Sequence, residues 1–258
     1  MKDRVEFGPK ERERYRRQDA VLGPGGQERL KAATVFVAGA GGLASAVLPY
    51  LAAAGVGTIR VYDQDVVRID NLNRQLLYSE LDEGKPKAPL AGLRIRNLNP
   101  HLRIEAVQGR IEPAHARDLL RGCDAAVDAL DNFETRFVLN EAAVGLRIPL
   151  VHGAVLELSG QVMTVIPGKT ACLKCVFPPL PARSGFPILG ATCGVIGSVQ
   201  AGEVIKLLAG LETPEAGRLL FWDGRRGSWD ELELRRNPTC PVCGGKAGGA
   251  GAERGSGI

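Results

Sequence analysis

A glycine-rich turn between a predicted strand and a predicted helix constrains the fold of this chain more than any other segment. Thr34–Ala38 has the composition of a buried strand, and Gly39-Ala40-Gly41-Gly42-Leu43-Ala44 follows it directly. An alanine-rich helix to about residue 54 and a second strand at 58–62 come next. A strand–helix–strand unit of this kind closes with a right-handed crossover, so the two strands are predicted to lie parallel in one sheet.

The alternation of helix and strand continues along the chain and then changes after residue 150. We predict helices at 88–98, 113–120, 133–145 and 194–208, and strands at 104–107, 124–129, 151–156, 161–166, 218–222 and 229–234. The strands at 151–156 and 161–166 are expected to pair through a turn at Ser159-Gly160, and 167–192 is expected to be loop-like. The fold class predicted is α/β, a Rossmann-like doubly wound sheet that is mostly parallel with an antiparallel C-terminal extension.

We expect one domain over residues 1–243, with two N-terminal helices within 9–33, a nucleotide-binding half at 34–149 and a second half at 150–243. Residues 244–258 are mostly Gly and Ala and are expected to be a disordered tail. The net charge of +4 is small and dispersed, which argues against nucleic acid as a partner. Without a signal core or an apolar run near the ~20 residues of a membrane span, the chain is expected to be cytoplasmic, with no membrane partner.

The glycine turn has the context of a nucleotide-binding loop. Gly39, Gly41 and Gly42 let backbone N–H groups approach phosphate at the start of a helix, whose N-terminus favours negative charge. Asp63 lies 24 residues after Gly39 at the end of the next predicted strand, where a carboxylate can accept hydrogen bonds from a ribose. This pattern favours NAD, FAD and ATP about equally.

Two Cys-x-x-Cys pairs indicate a metal site. Cys172 and Cys175 are separated by 64 residues from Cys240 and Cys243. Four thiolates with this spacing suit a closed tetrahedral Zn²⁺ site, which would be structural because no coordination position stays open. A redox Cys-x-x-Cys is the alternative, and disulfides stay possible for a hyperthermophilic source.

A cluster of cations after the nucleotide loop distinguishes the chain from a simple dehydrogenase. Arg74 lies in Asn71-Leu72-Asn73-Arg74-Gln75, and Lys87 follows in Lys85-Pro86-Lys87. Hydride transfer needs no such charge, whereas cleavage of ATP between the α- and β-phosphates builds negative charge on the leaving pyrophosphate.

These motifs together resemble those of the ThiF/MoeB/HesA adenylyltransferases, relatives of the ubiquitin-activating enzymes. The resemblance extends from Arg14 to Cys243. The matching segments are Arg14-Tyr15-Arg16-Arg17-Gln18, Gly39-Ala40-Gly41-Gly42-Leu43, Asn71-Leu72-Asn73-Arg74-Gln75, Lys87, Asp131-Asn132, Gly194-Val195-Ile196-Gly197-Ser198 and the four cysteines. The resemblance implies ATP-dependent adenylation of the C-terminal glycine carboxylate of a ubiquitin-like sulfur carrier protein ending in Gly-Gly, ahead of sulfur transfer. It also implies that the half at 150–243 binds this carrier.

The resemblance also implies roles for single residues. Arg74 and Lys87 would contact the triphosphate, and the alternative for both is an exposed salt bridge. Asp131 would hold Mg²⁺, and its alternative role is to cap the following helix. Arg17 would reach into the partner subunit's site in a homodimer, or else be a plain surface arginine. Asn71, Gln75 and Asn132 are expected to be polar partners of nucleotide or magnesium, and Asp65 is either a nucleotide contact or a turn residue.

Several members of the family that the chain resembles carry a cysteine at the position that Arg183 occupies here, so the chain departs from them at this residue. A persulfide or thioester at residue 183 is excluded, which makes the molybdopterin-synthase-activating type the nearer resemblance. Cys193, expected just before a helix that starts at Gly194, is either a substitute thiol or a packing residue. Cys123 and the three histidines are predicted to be structural. Three other functions stay open, which are an NAD(P)-dependent oxidoreductase, an enzyme that adenylates another peptide C-terminus, and an inactive zinc scaffold.

Overall fold

Eight strands form one mixed sheet in the computed structural model, which describes residues 6–178, 186–213 and 216–244. They are β1 Thr34–Ala38, β2 Thr58–Asp63, β3 Arg103–Gln108, β4 Ala125–Asp128, β5 Leu150–Leu156, β6 Ser159–Val165, β7 Arg218–Asp223 and β8 Ser228–Glu233. The order across the sheet is β3-β2-β1-β4-β5-β6-β7-β8. Strands β1 to β5 pair in parallel, and β5 to β8 pair antiparallel. The predicted fold class is therefore confirmed.

Helices cover both faces of this sheet. They are α1 Pro9–Leu22, α2 Gly26–Ala32, α3 Ala44–Ala54, α4 Lys87–Leu98, α5 Ala116–Leu120, α6 Phe133–Leu146, α7 Leu173–Val176 and α8 Gly190–Ala209. One apolar core lies between the sheet and α2, α3, α4 and α8. A second core on the opposite face contains α5, α6, α7 and three of the four clustered cysteines. The parallel half of the sheet is thereby buried on both faces, as a doubly wound sheet requires.

The hairpin between β5 and β6 turns earlier than the sequence indicates. Leu156 pairs with Ser159, so Glu157 and Leu158 form the turn and Ser159-Gly160 begins β6. A Cβ at Gly160 would lie 2.3 Å from Cγ1 of Ile196 on α8. The prediction of a turn at Ser159-Gly160 was wrong because this glycine admits a helix against the strand.

The helix expected at 194–208 begins four residues earlier, at Gly190, so Cys193 lies inside α8. A Cβ at Gly190 would lie 2.3 Å from the Asn73 carbonyl oxygen, and one at Gly197 would lie 2.4 Å from that of Leu43. These two glycines let α8 pack closely against the backbone of neighbouring segments. The loop-like stretch also contains α7, and α5 begins at Ala116 because Glu112 to His115 form a turn.

Among the described residues, α8 is the one helix whose length and composition would allow it to cross a bilayer, which the sequence reading did not expect. It packs against α3, β5 and β6 as a core helix. The division of the chain into halves stays a prediction. Residues 183 and 245–258, with most of the predicted disordered tail, lie outside the described ranges.

The N-terminal helix α1 is anchored by the fully buried side chain of Asn99. Its Nδ2 donates to the Tyr15 hydroxyl at 2.8 Å and to the Ala52 carbonyl at 2.7 Å, and its Oδ1 accepts from the His101 N–H at 3.1 Å. One amide thus connects α1, the end of α3 and the turn before β3.

Replacing Asn99 tests this anchor. We expect Asn99→Ala to lower the free energy of unfolding by about 1–3 kcal/mol, because the Tyr15 and Ala52 oxygens lose a buried donor. The measurement is urea denaturation followed by circular dichroism. Gln108→Ala, which removes an exposed amide at the end of β3, should change the value by less than about 0.5 kcal/mol. Equal losses for both variants would contradict the anchor.

Candidate functional site: a nucleotide cleft and a four-cysteine clasp

A cleft of about 470 Å³ opens at the carboxyl ends of the parallel strands. Its walls come from the segments that follow β1, β2, β3 and β4, which is where open α/β sheets bind ligands. Nine of the predicted site residues line it: Gly39, Gly41, Gly42, Asp63, Arg74, Gln75, Lys87, Asp131 and Asn132. Residues distant in sequence are thus brought to one place by the fold.

Asp63 holds the glycine loop in shape. One carboxylate oxygen accepts the N–H of Ala40 at 2.6 Å and the other accepts the N–H of Asp65 at 2.7 Å. Burial raises the pKa of the Asp63 carboxyl above its ordinary value, and these hydrogen bonds oppose the rise. Gly39 has a φ of 96°, and a Cβ there would lie 2.7 Å from the Ala129 carbonyl oxygen, so the turn favours glycine.

The cations of the cleft are held by different kinds of partner. Lys87 is the first residue of α4 and is almost buried, and its Nζ lies 3.2 Å from Oδ2 of Asp65. The Arg74 guanidinium donates to the Asp70 carbonyl at 2.8 Å and to Oδ1 of Asn73 at 2.9 Å. Asp65, which the sequence left ambiguous, is therefore an ion-pair partner of Lys87.

Two further arginines line the cleft that sequence reasoning missed, Arg110 and Arg136. Arg110 comes two residues after β3, so its position at the carboxyl edge of the sheet was a signal that could have identified it. Arg136 lies in the first turn of α6, five residues after Asp131, and is buried. Nothing local in the sequence distinguishes it from a surface arginine.

Two predicted site residues have a buried amide oxygen without a partner, and one of them lies in the cleft wall. Oε1 of Gln75 and Oδ1 of Asn71 are both buried and accept no hydrogen bond from the described residues. An unsatisfied buried acceptor costs about 1–3 kcal/mol, which a bound hydroxyl, N–H or water would relieve. Gln75 lines the cleft, whereas Asn71 does not.

Asp131 and Asn132 divide two tasks at the start of α6. Asn132 caps the helix, since its Oδ1 accepts the Thr135 N–H at 2.9 Å. Asp131 is exposed, and its Oδ1 lies 3.3 Å from Nδ2 of Asn132. The capping role considered for Asp131 therefore belongs to its neighbour, and the Asp131 carboxylate is left facing the cleft.

Arg17 lies away from the cleft of its own chain. It is exposed on α1 and is not among the cleft-lining residues. The expected contact of Arg17 with a nucleotide in the partner subunit stays a prediction.

The four predicted metal ligands form a separate cluster, the clasp, made of Cys172, Cys175, Cys240 and Cys243. Their sulfurs all lie within 4.8 Å of one another, and the cysteines are free. Individual Sγ–Sγ distances are 4.0 Å for Cys172–Cys175, 3.8 Å for Cys172–Cys240 and 3.3 Å for Cys175–Cys243. Tetrahedral zinc with Zn–S bonds near 2.3 Å needs sulfurs about 3.8 Å apart, so the donor set and its spacing fit zinc.

Arg236 connects the two chain segments that carry the clasp cysteines by binding backbone carbonyls in or near each of them. Its guanidinium donates to the Gly168 carbonyl at 2.9 Å and also to the Cys243 carbonyl. The C-terminal segment is therefore tied to the loop after β6 by an arginine as well as by the sulfurs.

The two other cysteines do not form an exposed thiol. Cys193 lines the cleft but is only 1% exposed, a Cβ at Gly42 would lie 2.8 Å from its sulfur, and burial raises its pKa to about 11 against the opposing charge of Arg74. Of the two roles considered for Cys193, packing fits the structure, because its sulfur is buried within the first turn of α8. Cys123 is a core residue, as predicted, and burial raises its pKa too.

A Rossmann-like nucleotide-binding sheet with an antiparallel extension and a four-cysteine clasp defines a narrow class of proteins. The family model described as "ThiF family" matches residues 15–242. The chain therefore belongs to the ThiF family, and the resemblance of its sequence motifs is confirmed.

Similar proteins agree with this family. A sulfur carrier protein adenylyltransferase from Thermus thermophilus is 45% identical over 247 residues, covering 91% of each chain. The sulfur carrier protein ThiS adenylyltransferase of Escherichia coli is 38% identical, over 90% of this chain and 95% of that protein. The crystal structure of E. coli MccB with ATP has a TM-score of 0.78 and 24% identity, over 90% of this chain and 74% of that one, which supports the fold.

The clasp leads to a prediction about metal content. Cys243→Ser should lower bound zinc well below the roughly one ion per chain expected of a four-thiolate site, and should lower the melting temperature. The measurements are elemental analysis by mass spectrometry and differential scanning calorimetry. Cys193→Ala, which removes a buried thiol outside the clasp, should keep the zinc. Full zinc content in Cys243→Ser would contradict the assignment.

Proposed function

We propose that this chain, an adenylyltransferase of the ThiF family, adenylates the C-terminal glycine carboxylate of a ubiquitin-like sulfur carrier protein that ends in Gly-Gly. The observation that carries the proposal is the cleft, where the glycine loop faces Arg74 and Lys87. The names of the relatives from T. thermophilus and E. coli supply the substrate class.

The reaction needs positioning and charge stabilisation more than acid–base chemistry. A carrier carboxylate is already ionised near neutral pH, so it can attack the α-phosphorus of ATP without a general base. A bond forms between a carboxylate oxygen and the α-phosphorus, the bond from that phosphorus to the bridging oxygen breaks, and pyrophosphate leaves. Arg74 and Lys87 would stabilise the charge that grows on pyrophosphate, and they are held by the protein beforehand.

Mg²⁺ is the proposed cofactor beside Asp131. A hard divalent cation prefers oxygen ligands and often combines one carboxylate with nucleotide phosphates. Asp131 is exposed in the cleft, whereas Asp63 is largely buried and each of its oxygens already accepts a backbone N–H. When bound, the cation would neutralise phosphate charge, while Gln75, whose Oε1 lacks a partner, would accept a hydrogen bond from the nucleotide.

Sulfur transfer would need a donor outside this chain. All six cysteines are within the described residues, four of them in the clasp, and Cys123 and Cys193 are buried with raised pKa values. With Arg183 at the position where several relatives have a thiol, the product would stay an acyl-adenylate until an external sulfur nucleophile attacks it. This favours the molybdopterin-synthase-activating type.

The antiparallel half offers a surface for the carrier. By strand register, Leu156, Phe221 and Leu232 lie on one face of the sheet, and all three are exposed apolar side chains. Leu156 follows Val155, which lines the cleft, and an exposed apolar surface there suits a partner whose flexible tail must reach the nucleotide. A cytoplasmic location fits such a partner.

Three alternatives have direct tests. Binding of NAD rather than ATP by the purified protein would favour an oxidoreductase. Exchange of pyrophosphate into ATP that requires a different peptide would favour adenylation of that peptide's C-terminus. A zinc scaffold would bind the carrier without any turnover.

Carrier-dependent exchange of pyrophosphate into ATP tests the proposed activity. Lys87→Ala, Arg74→Ala and Asp131→Ala should each lower the exchange rate by about 100- to 1,000-fold, because the first two remove positive charge that stabilises the leaving pyrophosphate and the third removes the proposed ligand of Mg²⁺. Lys85→Ala is the matched control, since that lysine is exposed, pairs with Asp82 and does not line the cleft. It should act within roughly twofold of the unchanged protein. Carrier binding without exchange would refute the proposed enzyme.

A mixing experiment tests the proposed homodimer and Arg17. Arg17→Ala and Asp131→Ala should each be nearly inactive alone. Random re-association makes half of the dimers mixed, each with one complete site, so about a quarter of full activity should return. Arg16→Ala, an exposed neighbour that pairs with Glu13, should stay active. If mixing restores nothing, Arg17 does not act across subunits.

A further inference from the structure

A buried polar cluster lies directly behind the loop that carries Asp131. Asp128 and His152 are fully buried and Arg136 is 4% exposed. Asp128 ends β4, and the sheet register places it opposite His152 on β5. Neighbouring residues in register point to the same face of a sheet, so the two side chains meet. Nδ1 of His152 lies 2.6 Å from Oδ2 of Asp128.

The second oxygen of Asp128 contacts the loop after β4, which carries Leu130 and Asp131. Oδ1 accepts the Leu130 N–H at 3.1 Å and lies 3.7 Å from Nε of Arg136. The Arg136 guanidinium in turn donates to the Leu130 carbonyl. Leu130 is therefore held at both its N–H and its carbonyl, and the residue after it is Asp131. Leu130, Asp131 and Arg136 all line the cleft.

His152 is a neutral donor in this cluster. Its Nε2 lies 3.1 Å from the side-chain amide nitrogen of Gln161, so an Nδ1–H tautomer lets one ring nitrogen donate to Asp128 while the other accepts. Burial lowers the pKa of His152 below its ordinary value, and Asp128 and its hydrogen bond oppose this. Phe177, two residues after Cys175, packs against the ring at 5.6 Å between centroids. The negative charge of Asp128 is then balanced by Arg136, and His152 fixes its orientation.

We propose that His152 is a positioning residue that orients Asp128 and, through the Leu130 backbone, sets the place of the Asp131 carboxylate for a divalent cation. The proposal rests on the proposed function for the identity of the nucleotide and cation. The proposed adenylation step needs no general base, so it assigns no role to His152. Partners behind a metal-binding carboxylate commonly change metal affinity or activity when they are lost.

Two substitutions separate the hydrogen bond from the volume of the ring. His152→Leu fills similar space without a donor, and His152→Asn keeps an N–H near the place of Nδ1. We expect His152→Leu to raise the Mg²⁺ concentration for half-maximal exchange, and to lower kcat, by about 10- to 100-fold, with KM for ATP changed less than about threefold. The triphosphate contacts Arg74 and Lys87 are untouched, which explains the unequal effects. His152→Asn should recover most of the loss.

Met163→Ala is the control for general damage to the sheet. Met163 is buried on β6 opposite His152 in the strand register and carries no strong donor. It should lower the melting temperature and leave the Mg²⁺ dependence unchanged. An equal Mg²⁺ shift in Met163→Ala, no shift in His152→Leu, or no recovery in His152→Asn would overturn the positioning role.

A binding measurement keeps this result separate from the proposed activity. Calorimetric titration of Mg²⁺ into each protein saturated with α,β-methylene-ATP, which cannot be cleaved at the reacting bond, reads cation affinity without turnover. His152→Leu should bind the cation about 10-fold or more weakly than the unchanged protein and His152→Asn. Absence of exchange in the unchanged protein would refute the proposed function alone. Equal cation affinity in His152→Leu and the unchanged protein would refute the role of His152 alone.

Discussion

The buried carboxylate of Asp63 is the interaction on which the cleft depends. It accepts the N–H of Ala40 after β1 and the N–H of Asp65 after β2, so a single anchor holds two turns from neighbouring strands. A carboxylate can do this because it offers several acceptor sites and no donor that would repel an N–H. The turn of the glycine loop, the place of Asp65 and, through Asp65, the ion pair of Lys87 all follow from it.

The positively charged side chains of the cleft are already held in place by protein partners. Lys87 is almost buried but has a half-exposed carboxylate beside it, and Arg74 is held by a backbone carbonyl and a neutral amide. Arg136 is close to the buried charge of Asp128. In the proposed reaction, phosphate charge would meet cations that need little rearrangement, which is the condition under which electrostatic stabilisation is most effective.

Much of the fold could be predicted because strands and helices leave periodic patterns in nearby residues. Two of the misread elements, the start of β6 and the start of α8, share one cause, which is glycine used for packing rather than for turning. Gly160 admits Ile196, and Gly190 admits the Asn73 backbone, yet both resemble breakers in a linear reading. In the site, Arg136 and the partner of His152 could not be predicted, since each depends on a contact across the sheet or between a helix and a strand.

By itself, the sequence determined the order of the strands and of the helices other than α7, the nucleotide loop and the metal-ligand spacing of the cysteines, because these depend on residues close together in the chain. Only the tertiary structure decided that Asp65 pairs with Lys87, that Cys193 is buried, and that Asn132 rather than Asp131 caps α6. Those outcomes depend on distances, burial and hydrogen-bond geometry, which exist only after the segments have packed.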